Sequence, residues 1–168
     1  MNTLLAIFVL FIGRFDLGFT YGIPTGDFSS IVKSGFQINA CYTKEVWQGI
    51  HLGLNGTAYN FEGLGSGKYR VSYESAGFTL GIYPFAILGY DGIFINTSYN
   101  IGSFSRIMGS GKESDVTGSV ISHVALKLIS AERYRLNFLF NHGILMGKKK
   151  NITVYGLGLS FTIGNEEE

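Results

Sequence analysis

The sequence predicts an all-β fold, an eight-stranded antiparallel up-and-down transmembrane β-barrel that covers residues 14–164. Three observations predict it. Large apolar residues alternate with small or polar ones along eight segments, and each segment is long enough for a strand that crosses a bilayer, about 9–11 residues. The number of segments is even. The connections between them alternate between longer and shorter, which is typical of outer-membrane barrels.

The last segment, residues 152–164, shows the alternation most clearly. One face carries Tyr155, Leu157, Leu159, Phe161 and Ile163, and the other carries Val154, Gly156, Gly158, Ser160, Thr162 and Gly164. Glycine is a poor strand residue, because it has no side chain to pack and it costs backbone entropy. Three glycines on one face therefore indicate a crowded place, such as the lumen of a narrow barrel, rather than open solvent.

The other strands are predicted from the same alternation and from the residues that interrupt it. Their ranges are 14–23, 35–43, 47–60, 75–85, 90–102, 117–130 and 134–147. Longer connections are predicted at 24–34, 61–74 and 103–116, with a basic loop at 148–151, and short turns at 44–46, 86–89 and 131–133. Pro24 ends the first strand, since proline cannot donate to the ladder of hydrogen bonds.

One phase of each strand carries the large apolar side chains. In chain order it carries Phe15, Leu17, Phe19, Tyr21 and Ile23; Phe36, Ile38 and Tyr42; Ile50, Leu52 and Leu54; Phe78, Leu80 and Ile82; Ile93, Ile95, Tyr99 and Ile101; Val120, Val124, Leu126 and Leu128; and Leu136, Phe138, Phe140 and Ile144. The sixth strand alternates least cleanly. The opposite phase is rich in Gly, Asn, Ser and Thr.

Composition supports a sheet and limits the function. The chain has 24 glycines, two prolines and 15% aromatic residues, and its formal charge of +1 gives no reason to expect a nucleic-acid partner. Cys41 is the single cysteine, so no intrachain disulfide can form. We expect no cofactor and no metal ion.

The two ends of the chain are set apart from the barrel. Residues 4–12 resemble the apolar region of a secretory signal peptide, although Met1-Asn2-Thr3 carries no basic residue. We therefore predict that residues 1–13 are a signal peptide, with the start of the first strand as the alternative. Residues 165–168 form an acidic C-terminal tail.

Volume and charge decide which face points inward. The interior of an eight-stranded barrel is just wide enough for side chains to fill, and eight rows of Phe, Tyr, Leu and Ile would overfill it. The charges Asp16, Lys127 and Arg135 all fall on the small-residue phase, and a charge within a membrane must point inward to a partner. The alternative with the apolar face inward is a soluble lipocalin-like barrel that binds a ligand.

This assignment predicts a polar lumen and two aromatic belts. The lumen network would comprise Asp16, Asn39, Asn55, Asn96, Lys127, Arg135, Asn137 and Asn141. One belt near the longer loops would comprise Tyr21, Tyr99 and Tyr155, and the opposite belt Tyr42, Phe85, Tyr134 and Phe161. Trp47 is predicted on the lumen phase and is left out of the belts.

The segment Phe15-Asp-Leu-Gly-Phe-Thr-Tyr-Gly-Ile-Pro-Thr-Gly-Asp-Phe28 resembles the opening strand and loop of the porin-like outer-membrane β-barrel domain family of Bacteroidetes-like bacteria. The resemblance covers residues 14–164 and rests on pattern. It implies an outer-membrane location in a Gram-negative bacterium and insertion by the barrel-assembly machinery. One departure is the end of the chain, Gly-Asn-Glu-Glu-Glu, where the family commonly ends on an aromatic residue.

The resemblance and the charges of the loops favour a structural or surface-interaction role. The basic residues Lys68, Arg70, Arg106, Lys112, Lys148, Lys149 and Lys150 fall in the longer loops and the last loop. If these loops face outward, their side chains can bind lipopolysaccharide phosphates; ordinary solvated loops are the alternative. The outer-membrane lipid is the other expected partner, and the oligomeric state stays open.

A lipid A-modifying enzyme, a deacylase or acyltransferase, is the alternative function. Ser122 and His142 fall on the lipid-facing phase of neighbouring strands. If Ser130 faces Tyr134 across the turn, counting back places Ser122 opposite His142, and histidine can activate a serine hydroxyl. No acid on that face is in evident reach to orient His142, so these two residues are weak catalytic candidates, and we expect a non-enzymatic protein.

Overall fold

A computed structural model of the chain describes residues 13–64, 69–108, 111–131, 133–146 and 151–164. Eight strands close into a barrel in chain order. They are β1 (Arg14–Thr25), β2 (Val32–Trp47), β3 (Ile50–Gly63), β4 (Tyr69–Ile82), β5 (Ile93–Met108), β6 (Gly111–Ala131), β7 (Tyr134–Leu145) and β8 (Ile152–Gly164). Residues 1–12 and 165–168, predicted as leader and acidic tail, lie outside the described residues.

Every strand pairs antiparallel with its neighbour in the chain, and β1 closes the barrel against β8. At that seam Leu17 faces Phe161 and Phe19 faces Leu159, so large apolar residues share one phase across the closure. The eight-stranded up-and-down barrel predicted from the sequence is confirmed. Two short 3-10 turns, Gly26–Ser30 and Ala86–Leu88, lie in the connections. No helix among the described residues is long and apolar enough to cross a membrane.

Two predicted loops are largely strand. The predicted loop 61–74 contains the end of β3 and the start of β4, and the predicted loop 103–116 contains the end of β5 and the start of β6. The reason is that these segments pair with each other, for example Tyr73 with Phe104, and so continue the ladder above the predicted strand ends. The connection predicted at 86–89 is instead the longer segment 83–92.

A register shift between Glu45 and Trp47 corrects the predicted phase of Trp47. A β-bulge adds one residue to one strand, so side chains beyond it change face. Trp47 consequently points outward and is 74% exposed.

The barrel is apolar outside and mostly polar inside. On the outer face, Phe78 is 76% exposed, and every other strand also presents large apolar side chains. Inside, glycines leave room for large neighbours. A Cβ on Gly81 would lie 2.3 Å from the Phe94 ring, and one on Gly143 would lie 2.6 Å from the Tyr59 hydroxyl. The bare inner phase is therefore filled by side chains from other strands.

Candidate functional site

The interior has two halves, named here by the connections they lie near. The loop half lies near the β1–β2, β3–β4, β5–β6 and β7–β8 connections, and the turn half lies near the chain ends and the other three connections. The loop half is an apolar core of buried Phe28, Val32, Tyr59, Phe61, Val71, Tyr73, Ile121, Leu145 and Val154. The sequence analysis predicts a lumen rich in small and polar residues and does not predict this apolar core. Part of the signal lies in the inward phase of residues 59–73, most of which the sequence analysis predicts as a loop.

Below this core, asparagines form short hydrogen-bonded chains. Asn39 Nδ2 donates to Thr57 Oγ1 at 2.9 Å, and Thr57 Oγ1 donates to Asn55 Oδ1 at 3.1 Å. Asn96 Oδ1 lies 2.9 Å from His123 Nδ1. These side chains are all buried, so the hydrogen bonds satisfy groups that would otherwise be costly inside the barrel.

Two further asparagines connect the halves and reach the charges. Asn141 Nδ2 donates to Gln37 Oε1 and, at 3.3 Å, to the Tyr59 hydroxyl of the apolar core. Asn137 Nδ2 donates to Thr162 Oγ1 at 3.0 Å, and Thr162 in turn donates to Asp16. The structure thus places all five predicted lumen asparagines inside and joins Asn137 to Asp16.

Asp16 has a partner that the sequence analysis missed. The Arg14 guanidinium donates two hydrogen bonds to the Asp16 carboxylate, from Nε to Oδ2 and from Nη2 to Oδ1, both 2.7 Å. Arg14 also lies 3.8 Å above the Phe94 ring, a cation–π contact. Because Arg14 is the first strand residue and adjoins the predicted leader, only its inward position in the closed barrel reveals the pair.

Lys127 and Arg135 belong to a second ion cluster. Both bind the Asp91 carboxylate, which lies in the β4–β5 connection. Arg135 Nη1 also donates to the Tyr83 hydroxyl at 3.3 Å, and Arg14 Nη1 donates to the same hydroxyl. Burial raises the pKa of the Tyr83 hydroxyl, so it stays protonated at neutral pH. Neither Asp91 nor Tyr83 was predicted as a lumen partner.

Each half of the interior opens into a cavity. The turn-end cavity, about 310 Å³, is lined by Arg14, Thr43, His51, Tyr83, Tyr90, Asp91 and Arg135 among others. The loop-end cavity, about 590 Å³, has an apolar floor with Phe28, Phe104 and Leu145 and a charged rim with Asp27, Arg106, Glu113 and Asp115. The apolar core lies beneath the loop-end cavity, so the two cavities lie at opposite ends.

The predicted lipopolysaccharide contacts are only partly described. Lys68, Lys148, Lys149 and Lys150 lie outside the described residues. Arg70 and Lys112 are exposed at the loop end, each paired in register with Ile107. Arg106 is exposed as well, but its guanidinium lies 5.6 Å from the Phe104 ring and lines the loop-end cavity.

The predicted belt residues that belong to strands lie on the outer face of the barrel. Tyr21, Tyr99, Tyr155, Phe85, Tyr134 and Phe161 are exposed, and Tyr42 is half-buried. The Tyr134 and Phe161 rings stack with centroids 5.8 Å apart. Phe85 lies in the β4–β5 connection rather than on a strand. Their role at a membrane interface stays a prediction.

Ser122 and His142 face each other in register on the outer surface. The sequence count took Ser130 to face Tyr134, whereas Ser130 pairs with Arg135. A register shift between Lys127 and Ile129 moves the pairing by one residue, so Ser122 still faces His142 as predicted. Ser122 Oγ lies 3.1 Å from Thr97 Oγ1, whereas the His142 ring stacks on Tyr155 at 5.0 Å. These contacts do not orient a catalytic pair.

Among the described residues, no three His, Cys, Asp or Glu side chains are grouped as a metal site. Buried Cys41 packs inside the barrel wall as a free thiol.

The fold resembles solved small barrels, while the sequence matches no family model and no curated protein. Neisserial surface protein A (NspA) is similar over 90% of this chain and 96% of that one, with a TM-score of 0.68 and 7% identity. Ail, the attachment invasion locus protein of Yersinia pestis, is similar over 90% of this chain and 97% of its own, with a TM-score of 0.55 and 11% identity. The outer membrane protein OprG of Pseudomonas aeruginosa is similar over 90% of this chain and 96% of its own, with a TM-score of 0.53 and 10% identity.

Proposed function

We propose that this chain is an integral outer-membrane β-barrel protein of a Gram-negative bacterium, with a closed lumen and a structural or surface-interaction role. One observation carries the proposal, namely that large apolar side chains are exposed on the outside of the barrel while charged side chains are buried inside it. Arg14, Asp16 and Arg135 are buried, while large apolar side chains such as Phe78 and Leu159 are exposed on every strand.

An apolar outer surface of this extent requires lipid around it. Soluble monomers rarely expose contiguous apolar patches of more than a few hundred Å². Here the exposed residues lie on all eight strands, including Phe19, Ile38, Leu52, Leu80, Ile101, Leu126, Phe138 and Leu159. A soluble lipocalin-like barrel would point these side chains into a ligand cavity, so the geometry disfavours that alternative.

The filled interior supports a role other than open diffusion. Tyr59, Phe61 and Tyr73 are fully buried across the loop half, and the Arg14–Asp16 pair occupies the turn half. An eight-stranded barrel filled in this way leaves no wide aqueous channel. Interaction at the surface and a structural role in the membrane do not require an open channel.

The loop end supports an interaction with lipopolysaccharide. Arg70 and Lys112 lie exposed on either side of Ile107, and guanidinium and ammonium groups bind phosphate by charge-assisted hydrogen bonds. The similar proteins bear the names surface protein and attachment invasion locus protein, which accords with a surface role. The resemblance of residues 15–28 favours the Bacteroidetes-like porin family, and insertion by the barrel-assembly machinery follows from the location.

No observation favours the lipid A-modifying enzyme. Ser122 bonds to Thr97, and His142 stacks on Tyr155.

The test substitutes neighbouring residues on the two sides of the wall. Leu159→Arg puts a cation on the outer face, where a charge near the bilayer midplane costs about 2–4 kcal/mol, so we expect assembly into membranes to fail. The matched change Ser160→Asn enlarges a polar group on the inner face and should be milder. Folding into lipid vesicles, followed by the heat-dependent shift on a denaturing gel, measures both.

Fractionation of the native protein completes this test. We expect the wild type in the outer-membrane fraction, released only by detergent. A protein that stays in solution without detergent, or a Leu159→Arg variant that folds as well as Ser160→Asn, would refute the membrane proposal.

A further inference from the structure

The β4–β5 connection exposes large apolar side chains at the turn end of the barrel. Ile87 is 82% exposed and Leu88 is 79% exposed, and no residue of their 3-10 turn is buried. The other 3-10 turn, Gly26–Ser30 at the loop end, has the opposite arrangement, since its Phe28 is buried while Asp27 and its two serines are exposed. Exposed apolar side chains that lie together indicate a surface with a partner.

The β2–β3 turn lies beside this connection and adds to the apolar surface. Tyr83 N donates to the Gly49 carbonyl oxygen at 2.8 Å, and a Cβ on Gly49 would lie 2.7 Å from the Ala86 Cβ. Val46 and Trp47, at the end of β2, are both exposed. The exposed apolar residues of the two segments are called here the turn-end patch, and they are Val46, Trp47, Phe85, Ile87, Leu88 and Tyr90.

The turn-end patch continues the outer apolar face of the barrel. Trp47 pairs in register with Ile50, and Ile50 pairs with Ile82. Ile82 pairs with Ile95, so one row of apolar side chains crosses four strands. Phe85 follows closely after Ile82 in the chain, and the row therefore leads directly into the connection. A partner that covers the outer face at this row also reaches the patch.

The chemistry of the patch fits the boundary between lipid and water. From residue 83 to residue 90 the connection has no charged side chain, whereas the β6–β7 turn at the same end has the exposed Arg133. Tryptophan and tyrosine are enriched at this boundary, and Trp, Phe and Leu are typical of segments that lie in the surface of a bilayer. We propose that the turn-end patch lies in the interfacial layer of the lipid leaflet at the turn end. The proposal rests on the membrane location proposed above and adds to it a lipid contact outside the strands.

The connection is held in position by the barrel itself. The Asp91 carboxylate binds Lys127 and Arg135, and Lys127 N donates to the Gly92 carbonyl oxygen at 2.8 Å. A segment that is already ordered loses little conformational entropy when it meets a partner. The ion pairs inside the turn half thus position the apolar side chains outside it, and the patch fixes the depth at which the turn end lies in the leaflet.

The fluorescence of Trp47 tests the proposal in the wild-type chain, because Trp47 is the single tryptophan. The full chain is placed in phosphatidylcholine nanodiscs, which leave both faces of the bilayer open to the solvent. Lipids brominated close to the headgroup or close to the chain ends quench tryptophan at different depths, and iodide quenches it from the water. We expect a larger loss of Trp47 fluorescence with bromine close to the headgroup than with bromine at the chain ends, and little loss with iodide.

A second reporter tests the connection itself. Trp47→Phe combined with Leu88→Trp moves the single tryptophan onto an exposed site of the connection. Its control is Trp47→Phe combined with Ser29→Trp, at an exposed site in the loop-end 3-10 turn. We expect the tryptophan at position 88 to lose fluorescence with bromine close to the headgroup and to be protected from iodide. The tryptophan at position 29 should show the reverse, because the exposed residues of that turn are polar.

Copurification with the nanodiscs and the heat-dependent shift on a gel establish first that each protein is inserted and folded. A wild type that does not enter the nanodiscs refutes the membrane location, and the proposal with it. If only a variant fails these checks, the wild-type Trp47 measurement decides, and quenching of Trp47 by iodide but not by bromine overturns the proposal.

Three results at position 88 in an inserted barrel overturn the proposal while the membrane location stands. Quenching by iodide but not by bromine means that the connection lies in water. Protection from both quenchers means that a second copy of the chain or another protein covers the patch. Bromine quenching equal to that at position 29 means that the patch has no lipid contact of its own.

Discussion

The loop half and the turn half of the interior are enclosed by the same wall but are stabilised by different chemistry. In the loop half, rings such as Tyr59, Phe61 and Tyr73 pack on aliphatic side chains. In the turn half, Arg14, Asp16 and their neighbours form hydrogen bonds and ion pairs. The outer surface shows no such division, because large apolar side chains are exposed along every strand. In the proposed membrane location, lipid would constrain the outside uniformly, whereas the interior needs only to be filled and hydrogen-bonded.

The two halves should therefore respond differently to substitution. An apolar core loses stability in proportion to the volume removed, with little dependence on pH or salt. A charged core loses stability when one member of a pair is removed, since the other is left buried without compensation. The predictions that follow use this difference.

The largest effect is expected for Asp16→Asn in the turn half. The change leaves the Arg14 guanidinium buried without its carboxylate, and breaking a buried pair costs about 3–5 kcal/mol. Urea unfolding from lipid vesicles should show this loss. Adding Arg14→Met removes the unpaired charge and should recover much of the stability.

Glu62→Gln provides the control for Asp16→Asn, because Glu62 is an exposed acid at the loop end. Its effect should stay within about 0.5 kcal/mol. If Asp16→Asn is as mild as Glu62→Gln, the ion pair is not what stabilises the turn half.

The outside of the barrel could be predicted from the sequence because lipid enforces a strict period of two. The faces of β8, with Leu159 outward and Ser160 inward, follow directly from it. The period fails at a bulge, and the shift between Glu45 and Trp47 turned one aromatic side chain outward against expectation. A bulge leaves no clear mark in a single sequence, since it depends on how two strands pair.

The inside could be predicted only in part. The polar residues that interrupt an apolar alternation, such as Asn39 and Asn137, were identified as inward from the sequence. Their partners were not, because a lumen contact joins residues far apart in the chain. Asp91 lies in a connection, where no alternation of side chains indicates which way a residue points. Tyr73 lies at the start of β4, in a segment that the sequence analysis predicts as a loop.

A smaller effect is expected for Ile121→Val in the loop half. Ile121 is fully buried in the apolar core, and the loss of one methylene there costs about 0.5–1.5 kcal/mol. Ile101→Val makes the same chemical change on the exposed outer face of β5 and should be close to neutral. The difference between the two unfolding free energies measures packing within the loop half, and equal losses would contradict the apolar core.

The smallest effect concerns Asp91, whose side chain is 40% exposed at the edge of the turn half. Partial burial raises the pKa of the Asp91 carboxyl, but hydrogen bonds and charges from Lys127 and Arg135 outweigh it, so the pKa lies below its ordinary value. A carboxyl with a lowered pKa in the folded state stabilises the fold above its unfolded pKa of about 4. That stability is lost as the pH falls through the folded pKa.

Because Asp91 is partly solvated, and because Arg135 keeps its hydrogen bonds to the Tyr83 hydroxyl and to the backbone carbonyl of residue 91, the contribution of the Asp91 charge should be about 0.5–1 kcal/mol. Asp91→Asn should lower the unfolding free energy by that amount at pH 6, and the difference from wild type should shrink as the pH falls below about 4. Unfolding of both proteins at pH 6 and pH 3 measures this, and the difference should also be smaller in high salt, which screens exposed pairs. Ile121→Val should show no such dependence on pH or salt. If the Asp91→Asn difference is the same at both pH values, Asp91 does not stabilise the turn half through its charge.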